Sequence, residues 1–324
     1  EAIFFTNSGG IIDFAPSLTG GTIRLTLGEL EIEKNLTIRG LGANNLTISG
    51  NNTSRIFNID DGNSDRTIRF LLNGLTLTEG ATTDNGGAIA NRENLVVLNS
   101  IITFNTATFG GGIFNTGTTQ IFNSTIDSNS ADSQGGGILN RGNLQIDRST
   151  IFANSALADG GGINNDGGTL TLTNSTINTN FAQVVSGGID NDRGTATIIN
   201  TTISDNFAEN YGGIATHLGN TSIFNTTITA NTSNSGGNGL FNGTGGTTVI
   251  TNSIVAGNFN NSDVFALNPF TSAGNNLIGN GEGIAGFTNG VNGDIVGTVE
   301  SPIDPRLGTL QNNGGATFTH ALLN

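Results

Sequence analysis

Across 324 residues the chain carries 25 acidic side chains against 11 basic ones, a formal net charge of -14, with 50 glycines and no cysteine. Gripping a phosphate backbone needs clustered Lys and Arg, so this balance argues against nucleic acid as a partner; without cysteine there is neither a disulfide nor a thiolate metal site. No stretch of about 18 apolar residues occurs, so no transmembrane helix is expected, and the dispersed acids give a soluble, mutually repulsive surface.

The chain opens on Glu1 rather than Met, which points to a processed or excised piece of something longer. Residues 1–21 do not fit the pattern that follows. Glu1 to Thr6 suits a short helix and Ile11 to Phe14 an initial strand, so 1–21 is assigned as an N-terminal cap over the first apolar cross-section. From Thr22, apolar alternation around Leu30, Leu36 and Leu46 reads as imperfect early coils.

A regular phrase then takes over, complete at Gly160-Gly161-Gly162-Ile163-Asn164-Asn165 and Leu170 to Ile177. One aliphatic column is Ile89, Ile113, Ile138, Ile163, Ile189, Ile214 and Leu240; a second is Ile102, Ile126, Ile151, Ile177, Ile203, Ile228 and Val255. Three residues after each of the latter stands an asparagine: Asn105, Asn129, Asn154, Asn180, Asn206, Asn231 and Asn258. A period of about 24 to 26 residues signals a solenoid, and Gly pairs, Asn and β-branched residues with no 3.6-residue period exclude helices.

Three short strands are predicted per repeat: one on Gly-Gly-x-Ile, one through Leu71, Val97, Ile121, Ile146, Leu172, Ile198, Ile223 and Ile250, and one on Ser-Thr-Ile. At the bend after the middle strand come Asn73, Asn99, Asn123, Arg148, Asn174, Asn200, Asn225 and Asn252. An Asn tolerates the left-handed backbone of a tight turn, and such side chains can bond one another in a ladder when stacked. The fold class expected is therefore all-β, a right-handed single-stranded parallel β-helix of about 10 to 11 coils of roughly 25 residues.

The prolines, Pro16, Pro269, Pro302 and Pro305, agree with those limits, because proline cannot donate to an interior ladder. Coils are assigned to 22–258, and 259–324 to irregular last coils and a C-terminal cap, in one domain overall. The tail, with Leu307, Leu310, Phe318, Leu322 and Leu323, is expected to fold over the last coil.

The Gly-Gly-[Ala/Gly]-Ile and Ile-x-x-Asn phrases resemble the GGA[ILV] and FxxN repeats of chlamydial polymorphic outer-membrane proteins. Residues 17–60 and 273–323 are similar to the ends of large secreted β-helix proteins of cyanobacteria. The chain departs from the chlamydial pattern in having Ile or Val for Phe and no cysteines. The resemblance implies a secreted or cell-surface location and adhesion to glycans or surface proteins, and it transfers no catalytic residues.

Two functional classes follow. One is a non-catalytic structural or adhesive module, with Thr125, Thr150, Thr176, Thr202 and Thr227 projecting outward as an exposed ladder, since the Ile after each points in. The other is a polysaccharide lyase or glycoside hydrolase, because stacking at about 4.8 Å brings Asp166, Asp192 and His217 to one edge with Asp190 and Arg193 beside them. Short corners are expected to leave no walls for a cleft, which favours the module and makes the edge an ordinary ladder of charges. His217 and His320 are too few and too separated for a metal site; calcium is conceivable only at an acidic corner such as Asp190 and Asp192. No other cofactor is implied.

Overall fold

The computed structural model describes residues 1–63, 67–259 and 262–323. The chain is an all-β parallel solenoid of about 11 turns of roughly 25 residues. Sheet 1 holds eleven strands, starting with Gly10–Asp13 and running through the middle strand of each repeat. Sheet 2 holds twelve, on Ser-Thr-Ile and its equivalents, and sheet 3 holds ten, on the segments after the glycines. Every neighbour within a sheet is the corresponding strand of the adjacent coil, so Ile163 pairs with Ile138 on one side and Ile189 on the other.

This register puts like on like. All members of the two regular aliphatic columns are buried and join one continuous core with Leu72, Val97, Ile121, Ile146, Leu172, Ile198, Ile223 and Ile250. The middle column thus begins one residue later than the sequence pattern suggested: Val97 lies over Leu72, while Leu71 faces outward. The cause is the corner. Asn99, Asn123, Arg148, Asn174, Asn200, Asn225 and Asn252 take φ between 47° and 51°, but in the first regular coil Gly74 takes that place at φ 69° and Asn73 belongs to the strand.

A short fourth sheet also emerges, six strands from Thr106–Ala107 through Ser155–Ala156 to Thr232–Ser235. The six coils it spans are therefore four-sided where three strands were expected. Two-residue strands such as Ser130–Ala131 are too short to display a period. Sheet 4 leads into the glycines, whose backbone lies hard against the next coil: a Cβ on Gly136 would stand 2.4 Å from the carbonyl oxygens of Gly161 and Ser155. No side chain fits there.

Polar ladders close the corners from inside. The backbone N–H and the side-chain amide of Asn154 both donate to Oδ1 of Asn180, each at 3.0 Å, and Asn180 repeats this to Asn206 at 3.0 and 2.9 Å. The second amide hydrogen of Asn180 reaches the carbonyl of Ile151. The run continues through Asn231 and Asn258 and ends on Oδ1 of Asp263, a buried carboxylate that accepts both N–H groups of Asn258. A second buried run, unforeseen from the sequence, links Asn91, Asn115, Asn140, Asn165 and Asn191 by amide-to-carbonyl bonds of 2.7–2.9 Å. Ser100, Ser124, Ser149 and Ser175 form a third, each backbone N–H donating to the next hydroxyl at 3.1 Å.

The N-terminal segment holds a helical turn, Ala2–Phe5, before the first rung. At the other end, Leu277–Ile278 and Ile295–Val296 prolong sheet 2. Only the start of the tail packs on the last coils, where the Ile303 N–H donates to the Gly279 carbonyl. Leu307–Gln311 and Thr319–Leu322 make an antiparallel hairpin that lies back along the outer side of sheet 2. Thr176 donates to the carbonyl of Phe318 at 2.6 Å, and His320 Nε2 is 2.9 Å from Ser204 Oγ.

Two stability outcomes follow. Ile177→Asp strands a carboxylate in the aliphatic file and should cost more than about 4 kcal/mol in chemical denaturation. Asn180→Ala leaves the buried backbone N–H of Asn154 unsatisfied and breaks the amide ladder, and should cost at least about 2 kcal/mol, several-fold more than Asn174→Ala on the exposed corner. Losses under about 1 kcal/mol in the first case would contradict the inward assignment.

Candidate functional site

Three faces are available to a partner. On sheet 2 the outward threonines were expected to be exposed along their whole length. Thr125, Thr150 and Thr227 are half-buried, but Thr176 and Thr202 are only 0% and 5% exposed because the C-terminal hairpin covers that side. The file is interrupted in its middle, so it does not serve as one continuous exposed ladder. A contact between Phe318 and Thr176, 142 residues apart, leaves no trace in a repeat pattern.

Sheet 1 is different. Its outward positions form three columns, among them Gln120, Gln145, Thr171, Thr197 and Ser222, all partly exposed. Gln120 donates its amide to Gln145 at 2.9 Å, tying the rungs together on the outside. The sequence shows this column as the residue before each inward Ile or Leu of the middle strand, a place that sequence reading left unused.

The outer side of sheet 3 lies covered between walls, contrary to the expectation that short corners provide none. Its floor is made by the residues between each Ile and Asn: Ala90, Phe114, Leu139, Asn164, Asp190, Ala215 and Phe241, all buried although they point away from the core. Near its start this face opens into a cavity of about 240 Å³ in which Ala90 and Phe114 meet Asp84, Asn85, Asp60 and Arg92. Where sheet 4 runs, it and its glycine turn supply one wall; the turn after sheet 3 supplies the other.

Asp166, Asp192 and His217 all lie on this second wall. Asp166 and Asp192 are paired rungs. Asp166 is held by Arg141 at 2.8 Å and by Arg193 at 2.5 Å, while Arg193 also reaches Asp192 at 2.9 Å. Burial pushes the Asp166 carboxyl up, but the bonds from Arg193 and Arg141 outweigh it and hold it below its ordinary 3.8. This part of the edge is the charge ladder that the sequence suggested.

Asp190 behaves otherwise. It sits on the floor, 3% exposed, with Oδ2 accepting from the Asn164 amide at 3.1 Å and Oδ1 standing 3.9 Å from His217 Nε2. At 3.9 Å there is no hydrogen bond. Among the described residues, Asp190 Oδ1, Asn164 Oδ1 and His217 Nε2 are enclosed atoms without a hydrogen-bond partner in the protein. Each such atom costs about 1–3 kcal/mol. Burial, reinforced by the charges of Asp159, Asp192 and Asp166, raises the Asp190 carboxyl well above 3.8, and burial also lowers His217 below 6.5 against the pull of Asp192 and Asp159.

Aromatic rings stand beside this group. Tyr211 stacks on Phe241 with centroids 3.6 Å apart, and His217 lies 5.1 Å from Phe241. Tyr211 has φ 60° at the turn position that Gly86, Gly110, Gly135, Gly160 and Gly236 occupy in other coils. A bulky residue there carries backbone strain. The sequence signals this place only as a missing glycine before Gly212-Gly213.

For a cation, Asp190 and Asp192 do not converge with a third acid. Among the described residues the carboxylates that gather within 4.8 Å are Asp60, Asp61 and Glu93, where Arg92 pairs with Asp60 and the Ile68 N–H donates to Glu93. His320 bonds the Gly308 carbonyl and Ser204 within the hairpin contact, far in sequence from His217.

The fold defines a parallel β-helix protein. No known protein-family profile matches the chain, and no curated protein matches it. Among solved structures it is similar to a PL6 family alginate lyase, AlyGC, with 15% identity and a TM-score of 0.47 over 91% of this chain. The chain spans 45% of that protein's length.

Stability should carry the mark of Asp190. Because its native carboxyl holds a proton more tightly than the unfolded one, its contribution is full below about pH 3.8 and is lost as pH rises toward the raised native value. Melting temperature followed against pH should fall over that interval, and Asp190→Asn should flatten the fall. His217 acts in the opposite sense, removing stability as pH drops below 6.5, because the unfolded chain takes up a proton that the native ring resists.

Proposed function

We propose that the chain is a non-catalytic, extracellular structural or adhesive β-helix module that presents flat polar faces to glycan or protein partners. The observation that carries this reading is sheet 1: ladders of Gln, Thr and Ser, in unbroken register from Gln120 to Ser222, are not covered by the hairpin that closes sheet 2. Side chains spaced about 4.8 Å apart on a rigid support suit an extended partner that offers a repeating row of hydrogen-bonding groups. Rigidity limits the entropy lost on binding. The acidic surface keeps such a module soluble and repels like copies.

A second reading is favoured by one specific feature. Burial raises the Asp190 carboxyl and lowers the His217 imidazole, the directions that suit an acid and a base, and the two groups stand 3.9 Å apart. That reading is a polysaccharide-active lyase or hydrolase using Asp166, Asp190, Asp192 and His217. The arginine pair on Asp166 and the enclosure of Asp190 Oδ1 weigh against it.

A glycan array followed by a polysaccharide turnover screen separates the two. Expected is binding without turnover, unaffected by Asp192→Asn and weakened about tenfold or more by Thr171→Arg with Thr197→Arg on sheet 1. Turnover that disappears in Asp192→Asn overturns the module reading.

A further inference from the structure

The presentation reading concerns a flat sheet, and a concave part of the molecule lies outside it. We propose that the cleft beside the start of sheet 4 is a binding site for a linear neutral oligosaccharide, a glycan contact separate from sheet 1.

The cleft follows from the lengths of the connections. Between sheet 2 and sheet 3 the chain runs through residues 25–29 in the first coil, 50–56 in the second and 79–88 in the third. Sheet 4 takes up this side from Thr106–Ala107 onward. A cavity of about 830 Å³, a size common among small-ligand sites, lies along these steps. Its lining comes from five successive coils: Glu29, then Asn52 to Arg55, Ala81 to Asp84, Thr106 and Asp132. At the usual strand spacing that lining extends for about 19 Å along the axis, which suits a row of sugar units better than a single one.

The side chains define what fits. Arg55 is buried, with Nη1 donating to Glu29 at 2.7 Å and Nε to the carbonyls of Asn85 and Gly86 at 2.8 and 3.1 Å. Its Nη2 stands 3.9 Å from Asp84 Oδ2, too far for a hydrogen bond. Both residues line the cleft, and both border the smaller cavity on sheet 3 as well. Across that gap a donor and an acceptor are left for a group that can serve both. A hydroxyl does so, accepting from Arg55 and donating to Asp84; an ammonium has no acceptor, and a carboxylate, sulfate or phosphate has no donor. A sugar hydroxyl makes the same bonds as a bridging water and takes its place without loss.

Charge and backbone narrow the choice further. Glu29, Asp84 and Asp132 outnumber Arg55 along the cleft, which disfavours acidic sugars. These three carboxylates do not gather for a metal ion: among the described residues the acids within 4.8 Å of one another are Asp60, Asp61 and Glu93. A peptide adding itself as a strand would need free backbone groups at this edge. Here the Ala81 N–H donates to the Ser54 carbonyl, the Thr106 N–H to Gly80 and the Thr82 N–H to Thr106. What is exposed along the cleft is side-chain amide, hydroxyl and carboxylate, on Asn52, Thr53, Thr83, Asp84, Thr106 and Asp132. A polyol pairs with all three kinds of group.

The test is a titration of the whole nitrogen-15-labelled chain with linear hexamers of glucose, mannose and xylose, and with hexamers of galacturonate and glucosamine as acidic and basic counterparts. At least one neutral hexamer should bind saturably and shift the amide resonances of residues 81–84 and the Arg55 Nε–H. Its affinity should exceed that of the charged hexamers about tenfold or more and fall by a similar factor in Asp84→Ala, whose side chain is 72% exposed. It should be unchanged in the Thr171→Arg with Thr197→Arg variant. Should Asp84→Ala unfold, the map of shifted amides on the unaltered chain decides alone. No neutral hexamer bound, tighter binding of a charged one, or shifts confined to sheet 1 overturns the proposal. Binding that maps to sheet 1 and is lost in the double arginine variant sinks the cleft while leaving the presentation reading standing.

Discussion

Backbone pairing between successive coils is the constraint on which everything else depends. The strands of a flattened coil do not pair with one another, so their N–H and C=O groups are satisfied by the coils on either side. Pairing of Ile138 with Ile163 and of Ile163 with Ile189 then forces any side chain to meet its counterpart one repeat away. Apolar columns become a continuous core. Amides that would be costly to bury alone become chains of mutual donors and acceptors, because each Asn offers both. Glycines sit where the next coil's backbone excludes a Cβ, as at Gly136.

What was legible in the sequence was whatever this constraint repeats. The columns of Ile113, Ile126 and Asn129 announce themselves because seven coils impose the same requirement on them, and the left-handed corner at Asn123 follows from the few residues that tolerate it. Features made by a single coil, or by contacts across many coils, were not legible. Leu71 resembles its successors in type but the Asn73-Gly74 corner displaces it by one place. Ser130–Ala131 is too short to show a period. The covering of Thr176 depends on Phe318, which no local pattern connects to it.

The candidate site was half visible for the same reason. Stacking correctly placed Asp166 and Asp192 together, and their salt links to Arg141 and Arg193 are what alternating charges on adjacent rungs should form. The burial of this face was missed because its residues look surface-directed in a strand pattern: Asp190 alternates with Ile189 and Asn191 as any outward residue does. Its burial comes from walls raised by turns. Ser186 and Tyr211, where other coils have glycine, mark the two coils in which the repeat gives up conformational ease, and such departures from local consistency are expected at strained or functional places.

The amide run from Asn105 to Asp263 has a sense of travel. Every donor points the same way along the axis, and a carboxylate, which can only accept when ionised, halts it. A second line near that end stops likewise: Thr226 N–H donates to Ser253, Ser253 N–H to Asn276, and Asn276 to Asp294. The molecule is thus a polar filament in miniature, whose two extremities are chemically unlike: a coil excised whole leaves the remaining amides able to rejoin, whereas a coil turned end for end would set carbonyl against carbonyl.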